Sequence, residues 1–359
     1  MSTGHTERAR LRATPRTVDA GELTRPGGEV LTDRKGRHVV RHGDIVVKTH
    51  MAEEAAGPLL ARLRLAADPR LAPLFLPPLR LGTGDGEDGG PGIQGGLLAT
   101  VDGRLVTAWP AATALGLAEV EQDVEAAPWE AAAELLARLH ATDLAALHPL
   151  TVPPAAVCTR LQRAMDHMET GLSNATTTTG EGSARPVAAE ILSLAEDVRG
   201  AHAALPPWLR QAPSRPGGRA ALIHGDWHLG QVVRAPREPH AAAATTDTDT
   251  DTDQCWRIID IDDLGWGDPA WDLARPAAWF AAGVLPGAVW SRFVDAYRGA
   301  GGVALGSDPD PWAAVDGPAR AVTVQYAAGA ITDHLLRGTP FDEGARAFLD
   351  CAHRLASGT

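Results

Sequence analysis

Acidic and amide side chains stand at the ends of apolar runs in two segments of this 359-residue chain. In residues 222–233, LIHGDWHLGQVV, an apolar run leads to Asp226, and the amide Gln231 follows five residues later. In residues 256–274, WRIIDIDDLGWGDPAWDLA, a second apolar run ends at Asp260. Phosphoryl transfer from a nucleotide needs a carboxylate that takes the proton of an acceptor hydroxyl, and an amide and a second carboxylate that hold Mg²⁺. The two segments supply all three groups.

The elements that must position these residues begin with a strand-rich N-terminal part. Turn signals such as Asp102-Gly103 separate short apolar runs, which is the pattern of antiparallel hairpins. A helix is predicted over Ala52–Ala67, where leucines recur at helical spacing, and Gly57-Pro58 predicts a start or kink near its middle. Five runs are predicted as strands: Glu29–Arg34, Arg37–Arg41, Ile45–Thr49, Leu97–Val101 and Arg104–Trp109.

Helical periodicity dominates from Pro110 onward. Pro128 marks a helix start before an amphipathic stretch, and the chain beyond Pro269 is predicted to be helical to its end. The predicted exceptions are three strands around the polar segments, at Ala221–Ile223, Val232–Arg234 and Trp256–Ile261. Strands first and helices later predict an α+β fold with a β-rich N-lobe over residues 1–109 and a helical C-lobe over residues 110–359.

The paired segments HGDWHLGQ and IDIDDLGWGDPAWDLA resemble the catalytic and metal-binding segments of the aminoglycoside phosphotransferase and choline kinase family, which has a protein-kinase-like fold. The resemblance implies a bilobal structure, an ATP and Mg²⁺ requirement, and a hydroxyl of a small molecule as phosphoryl acceptor. It makes Asp226 the catalytic base, and Gln231 and Asp260 the metal ligands. Asp262 is the alternative to Asp260, although the downstream GWGDP favours Asp260.

The same resemblance assigns nucleotide contacts in the N-lobe. Lys48 ends the third predicted strand, where a kinase-like fold places the lysine that contacts the α- and β-phosphates. Glu54 is its predicted partner, with Glu53 as the alternative. Lys48 is one of two lysines in a chain with 33 basic residues. A hinge whose backbone meets the adenine is predicted at Thr107, Ala108 and Trp109.

Gln231 stands where the family has asparagine, and HLGQ is reminiscent of bacterial maltokinases and glucosamine kinases. The favoured acceptor is a cationic amino sugar or aminoglycoside, because the formal net charge is −12. Such an enzyme could act in antibiotic resistance. Two alternatives stay open: a maltokinase-like sugar kinase, and a catalytically weak, kinase-like nucleotide-binding protein.

Composition excludes other classes of function. A net charge of −12 has the wrong sign for a partner with a phosphate backbone, so no nucleic acid is expected. Three scattered cysteines support neither a disulfide framework nor a cysteine zinc site. No apolar stretch has the length of a signal peptide or a membrane span, so a cytoplasmic location is expected. The biased stretch Ala241–Asp253 is predicted to be a solvated insertion, and the oligomeric state stays open.

Overall fold

The structure is a computed structural model. It describes residues 17–19, 23, 27–34, 36–82, 92–115, 120, 123–177, 189–210, 220–236 and 254–358. The predicted insertion Ala241–Asp253 lies outside these residues. The chain divides into two compact units, of which the N-terminal unit comprises residues 1–67 and 76–111 and the C-terminal unit residues 68–75 and 112–359.

A five-stranded antiparallel sheet forms the body of the N-terminal unit, with strand order β2-β3-β4-β7-β6. Buried side chains on β4 and β7, such as Val47 and Val106, form its core. β1 and β5 pair in parallel as a separate two-stranded ribbon. The strands of the unit are β1 (Thr17–Asp19), β2 (Glu29–Arg34), β3 (Arg37–His42), β4 (Ile45–Thr49), β5 (Arg80–Gly82), β6 (Ala99–Val101) and β7 (Arg104–Pro110).

The helix of this unit, α1, covers Ala56–Ala66 rather than the predicted Ala52–Ala67. Proline has no N–H and fits best in the first turn of a helix, where Pro58 is the third residue of α1. Glu53 and Glu54 therefore precede the helix. The backbone N–H of Glu54 donates to the carbonyl oxygen of Met51 at 3.1 Å, which makes a turn at this point.

Eight helices are described in the C-terminal unit, and small strand pairs lie among them. β9 pairs with β12, and β10 pairs with both β8 and β11, all antiparallel. The strands are β8 (Thr113–Ala114), β9 (Ala221–Ile223), β10 (Val232–Pro236), β11 (Gln254–Ile258) and β12 (Gly265–Gly267). The helices are α2 (Trp129–His140), α3 (Val157–Thr177), α4 (Ala189–Ala204), α5 (Pro207–Arg210), α6 (Ala270–Ala281), α7 (Gly287–Gly299), α8 (Trp312–Arg337) and α9 (Glu343–Ser357).

Sequence periodicity and caps explain the helices that support the site. α2 buries Leu135, Leu136 and Leu139, as its apolar spacing predicts. α9 begins where the Asp342 carboxylate accepts a hydrogen bond from the backbone N–H of Ala345 at 2.7 Å, and it ends at Gly358 in the left-handed conformation. These elements confirm the predicted α+β fold class, with a small antiparallel sheet first and helices afterwards.

One strand boundary differs from its prediction in a way that shapes the site. The predicted strand Trp256–Ile261 ends at Ile258, and Ile261–Asp263 form a 3-10 turn. Between them Asp260 has φ 60° and ψ 70°, a left-handed conformation that few residues other than glycine adopt. Such backbone strain persists where surrounding contacts fix it, and it is concentrated at functional sites. The apolar run before Asp260 predicts a continuing strand, and no residue in it indicates the left-handed backbone at Asp260.

All three cysteines are free thiols. Within the described ranges, no helix is long and apolar enough to cross a lipid bilayer.

Candidate active site

The loop after β9 carries Asp226 and is shaped by Gly225. Gly225 has φ 85°, and a Cβ atom there would lie 2.6 Å from the backbone oxygen of Asp263. Only glycine fits this close approach without strain. Because Gly225 has no side chain, the Asp226 loop packs directly against the turn that follows Asp260.

The Asp226 carboxylate lies between two arginines and is only 11% exposed. Oδ2 accepts a hydrogen bond from Nη2 of Arg160 on α3, and Oδ1 accepts one from Nη2 of Arg275 on α6. Arg160 also reaches Oδ2 of Asp263 through Nη1 at 3.0 Å. Burial disfavours the charged guanidinium of Arg160, but the surrounding aspartates outweigh it and raise its pKa. The Arg160 guanidinium therefore stays charged beside Asp226.

Gln231 and Asp260 lie side by side. Nε2 of Gln231 donates to Oδ2 of Asp260 at 3.2 Å. The β10–β11 hairpin creates this proximity, because Val232 pairs with Ile258 and the backbone N–H of Ile259 donates to the carbonyl oxygen of Gln231 at 2.9 Å. Residues 231 and 260 thus leave the hairpin at the same end.

The donor set of this pair fits Mg²⁺. Mg²⁺ in nucleotide enzymes is held by one or two protein carboxylates and completes its shell with phosphate oxygens and water. The amide nitrogen of Gln231 points to Asp260, which leaves its Oε1 as the outward oxygen donor. In the part of the chain that the structure describes, no group of three or more His, Cys, Asp or Glu side chains could hold a metal ion. The pair is suited to a metal that arrives with the nucleotide rather than to a closed protein cage.

The imidazole of His224 connects the two loops. Nδ1 accepts the backbone N–H of Asp226 at 3.3 Å, and Nε2 lies 2.8 Å from the carbonyl oxygen of Ile259. This pattern requires the neutral tautomer with its proton on Nε2. A single ring therefore fixes Asp226 relative to the residue that precedes Asp260.

Asp272 on α6 holds the start of the same loop. Its carboxylate accepts the backbone N–H groups of His224 at 2.6 Å and Gly225 at 2.8 Å, and Nε2 of His140 lies 3.0 Å from it. Nδ1 of His140 is 2.8 Å from the hydroxyl of Tyr297. Burial disfavours the charge of Asp272, but the hydrogen bond and charge of His140 outweigh it and lower the pKa of Asp272. Asp272 is thus a buried anion whose hydrogen bonds position the backbone of His224 and Gly225.

His228 caps the short turn that presents Gln231. Its Nδ1 accepts the backbone N–H of Gly230 at 3.1 Å, and its own carbonyl oxygen accepts the N–H of Gln231 at 2.8 Å. Burial, and then the charge of Arg275, lower the pKa of His228 to about 4. The ring is neutral at physiological pH and serves as a hydrogen-bond acceptor.

The predicted nucleotide-contact residues lie in the N-terminal unit. Lys48 on β4 is half-buried and pairs across the sheet with Thr107 on β7. Oε1 of Glu54 is 4.0 Å from Nη1 of Arg62. The buried hydroxyl of Thr107 accepts the indole N–H of Trp109 at 3.0 Å, and the carbonyl oxygen of Ala108 accepts the N–H of Leu79 at 2.8 Å. Their assignment to phosphate and adenine stays a prediction.

Sequence reasoning missed four residues of the site: Arg160, Arg275, His140 and Tyr297. Arg275 had a usable signal, since it stands three residues after Asp272 and shares a face of α6 with it. His140 lies in the amphipathic stretch after Pro128, but its partner Asp272 is 132 residues away. Arg160 is one arginine among many, and no spacing distinguishes it.

No family model matches this chain, and no curated protein matches it. Solved structures do match, and they show that the chain has the protein-kinase-like fold of small-molecule phosphotransferases. One is a variant of a thermostable mutant of aminoglycoside phosphotransferase APH(4)-Ia, in a ternary complex with AMP-PNP and hygromycin B. It is 14% identical, covers 93% of this chain and 95% of its own, and has a TM-score of 0.50.

A second variant of that protein, in the same kind of complex, is 16% identical, with coverage of 93% and 95% and a TM-score of 0.50. A choline/ethanolamine kinase family protein from Mesorhizobium loti is 18% identical, with coverage of 94% and 92% and a TM-score of 0.48.

Proposed function

We propose that this protein is an ATP-dependent phosphotransferase that transfers the γ-phosphoryl group to a hydroxyl of a small polar molecule. One observation carries the proposal: the His224 ring binds the backbone of both the Asp226 loop and the loop that leads to Asp260. One loop offers a carboxylate to the acceptor hydroxyl, and the other offers oxygen ligands to a nucleotide-bound metal. Phosphoryl transfer needs these two functions at a fixed relative position.

Asp226 acts as the base in this proposal. The acceptor O–H bond breaks and its proton passes to the Asp226 carboxylate, while the acceptor oxygen forms a bond to the γ-phosphorus. The bond from that phosphorus to the β-phosphate oxygen breaks, and ADP leaves with the electron pair. Asp226 then releases the proton to solvent. The hydrogen bonds that backbone N–H groups of the loop donate to buried Asp272 keep Asp226 oriented throughout.

Gln231 and Asp260 would hold Mg²⁺. Bound there, Mg²⁺ would supply positive charge that offsets the negative charge developing on the nucleotide phosphates. Gln231 contributes its amide oxygen and Asp260 its carboxylate. The left-handed backbone of Asp260 fixes the direction of that carboxylate.

The N-terminal unit contributes nucleotide contacts in this proposal. Lys48 binds the α- and β-phosphates, and Glu54 orients its ammonium group, with Glu53 as the alternative. The backbone of Thr107, Ala108 and Trp109 contacts the adenine. The Asn-to-Gln change at position 231 also motivates a second candidate, a kinase-like protein that binds ATP without useful turnover.

An aminoglycoside or amino sugar was the acceptor expected from the net charge, with a neutral sugar as the alternative. Two structures of the same fold contain hygromycin B beside AMP-PNP, which is consistent with a polar, sugar-like acceptor. A role in antibiotic resistance depends on that acceptor. The net charge of the whole chain is a weak guide here, because the pocket beside Asp226 has its own charges.

A coupled ADP-release assay with Mg²⁺ and ATP tests the function. The acceptor panel contains aminoglycosides, amino sugars, neutral sugars, polyols, hydroxy acids and choline. We expect ADP release to depend on one acceptor class, and Asp226→Asn to lower kcat by about 100- to 10,000-fold. Asp316→Asn, which removes an exposed carboxylate on α8, is the matched control. Tight ATP binding without ADP release across the panel favours the binding protein, and wild-type turnover by Asp226→Asn excludes Asp226 as the base.

A further inference from the structure

A small pocket within the C-terminal unit opens beside Asp226. Its lining includes Arg160, Arg275, Trp227, Trp271 and Gln325. Because the pocket adjoins the carboxylate that takes the acceptor proton, it is the place where the acceptor would bind. The charges and hydrogen-bonding groups that line the pocket therefore indicate which class of acceptor binds there.

The pocket presents two guanidiniums. Asp226 is the one acidic residue among the described residues that line it. Arg160 is matched by Asp263 as well as by Asp226, with 3.0 Å between Nη1 of Arg160 and Oδ2 of Asp263. For Arg275, by contrast, the ion pair seen in the described ranges is the one with Oδ1 of Asp226. Arg275 is thus the cation whose ion-pair partner, Asp226, an anionic ligand can replace.

Arg275 is held in place for planar recognition. Its guanidinium carbon lies 5.6 Å from the ring centroid of Tyr326, and Tyr326 stacks on Phe348 with 4.6 Å between centroids. A guanidinium over an aromatic face keeps its edge for a carboxylate or a phosphate group. The side chain of Arg275 is 15% exposed, so an ion pair with it is only partly screened by water.

Two tryptophans, Trp227 and Trp271, also belong to this lining. The indole nitrogens of Trp227 and Trp271 are buried and have no hydrogen-bond partner. Trp227 is 2% exposed and Trp271 is 7% exposed. The two guanidiniums in the lining are donors only, and an ammonium group has no acceptor atom for them.

We propose that the acceptor carries an anionic group, a carboxylate or a phosphate or sulfate ester, near the hydroxyl that is phosphorylated, and that Arg275 binds this group. This inference rests on the proposed phosphotransferase function. Arg275 leaves Oδ1 of Asp226 for the anion of the acceptor, and the vacated position at Oδ1 receives the acceptor hydroxyl. Once Asp226 has taken the proton it is neutral, and the anion then balances the charge of Arg275. Asp226 keeps its contact with Arg160, so the base stays in position.

Acceptors that share a carbon skeleton but differ in charge provide the test. We measure ADP release with glucuronate, glucose and glucosamine, and with glycerate, glycerol and serinol. In each set we expect the anionic compound to have the highest kcat/KM. A preference for glucosamine and serinol overturns the anionic acceptor and leaves the phosphotransferase intact. Absence of ADP release with the broad panel as well would instead count against the proposed function.

Variants of Arg275 test the residue itself. Arg275→Gln should raise the KM for the anionic acceptor by about 10- to 100-fold, because it removes a charged hydrogen bond. The KM for the neutral member of the same set should rise by a clearly smaller factor. Arg275→Lys keeps the charge but loses the planar fork. Its KM for the anionic acceptor should lie between that of the wild type and that of Arg275→Gln. Arg320→Gln, on an exposed arginine of α8, is the control. An equal rise for neutral and anionic acceptors overturns the assignment.

Anion binding gives a readout that does not require turnover. Calorimetry with inorganic sulfate should show saturable binding to the wild type and to Arg320→Gln, and at least a tenfold loss of affinity in Arg275→Gln. Thermal unfolding of each variant identifies any that fails to fold, and Arg275→Lys then takes its place. Equal sulfate affinity in wild type and Arg275→Gln, or no saturable binding to the wild type, overturns the proposal.

Discussion

The carboxylate of Asp272 accepts a hydrogen bond from the backbone N–H of His224 at 2.6 Å, across 48 residues of sequence. The same carboxylate accepts the N–H of Gly225 at 2.8 Å. A helix therefore holds the end of β9 through one buried anion, and Asp226 follows immediately. The orientation of Asp226, the proposed base, therefore depends on Asp272, which is not one of the residues that line the pocket.

Asp272→Asn should destabilise the protein by about 3 kcal/mol and lower kcat, because a buried charged network loses its anion. Asp316→Asn, in an exposed pair on α8, should cost less than about 1 kcal/mol. Chemical denaturation of both variants measures the difference. Equal stability losses would show that the buried network contributes no more than a surface pair.

The same residue predicts a pH dependence. The folded pKa of Asp272 lies below the ordinary value of an aspartate, so its contribution to stability is present at neutral pH and is lost as pH falls through the folded pKa. The free energy of unfolding of the wild type should therefore fall more steeply below about pH 4 than that of Asp272→Asn. Denaturation curves between neutral and acidic pH compare the slopes. Parallel curves would contradict the lowered pKa.

Gly225→Ala should disturb the Asp226 loop more than a positive φ alone explains. A Cβ atom at Gly225 meets the backbone oxygen of Asp263 at 2.6 Å, whereas one at Gly43, with φ 62°, has nothing within 4 Å. Gly43→Ala should cost about 1 kcal/mol, and Gly225→Ala should cost more and also reduce kcat. Thermal unfolding and the ADP-release assay compare the two. Equal losses of stability and of kcat in the two variants would show that the close approach to Asp263 is not the reason for glycine at position 225.

Asp260→Asn and Gln231→Ala should weaken the binding of Mg²⁺ with nucleotide. Loss of the carboxylate should raise the Mg²⁺ concentration for half-maximal ATP binding by at least tenfold, and loss of the amide oxygen by less, because a neutral ligand attracts the cation less strongly. Calorimetry with AMP-PNP and Mg²⁺ measures this without turnover. Gln162→Ala, at an exposed glutamine on α3, is the control. An unchanged Mg²⁺ requirement in Asp260→Asn would exclude Asp260 as a ligand and point to Asp262.

Lys48→Arg should lower the affinity for ATP by about tenfold, because a guanidinium does not replace a compact ammonium at a phosphate contact on a strand. The other lysine of the chain, Lys35, provides the matched control as Lys35→Arg. Calorimetry with AMP-PNP compares both variants with the wild type. Equal affinities in all three proteins would remove Lys48 from the nucleotide contacts.

Much of the fold was predictable, because its elements are coded by local patterns. The Asp102-Gly103 turn fixes the β6–β7 hairpin, and a short apolar run after the His42-Gly43-Asp44 turn predicts β4, since both depend on neighbours in sequence. The periodic range Ala52–Ala67 begins four residues before α1, while Gly57-Pro58 correctly predicted a helix start at this point. The end of β11 was predicted too late, because left-handed backbone at Asp260 depends on contacts distant in sequence.

The sequence by itself determined the order of strands and helices and the paired motifs around Asp226 and Asp260, since each lies within a short segment. Only the tertiary structure decided what surrounds Asp226. Arg160 and Arg275 stand 66 and 49 residues from it, on two different helices, and no local spacing relates them to the loop. Helix packing brings the two guanidiniums to one carboxylate. That is why the net charge of −12 indicated a cationic acceptor, while the charges that line the pocket favour an anionic one.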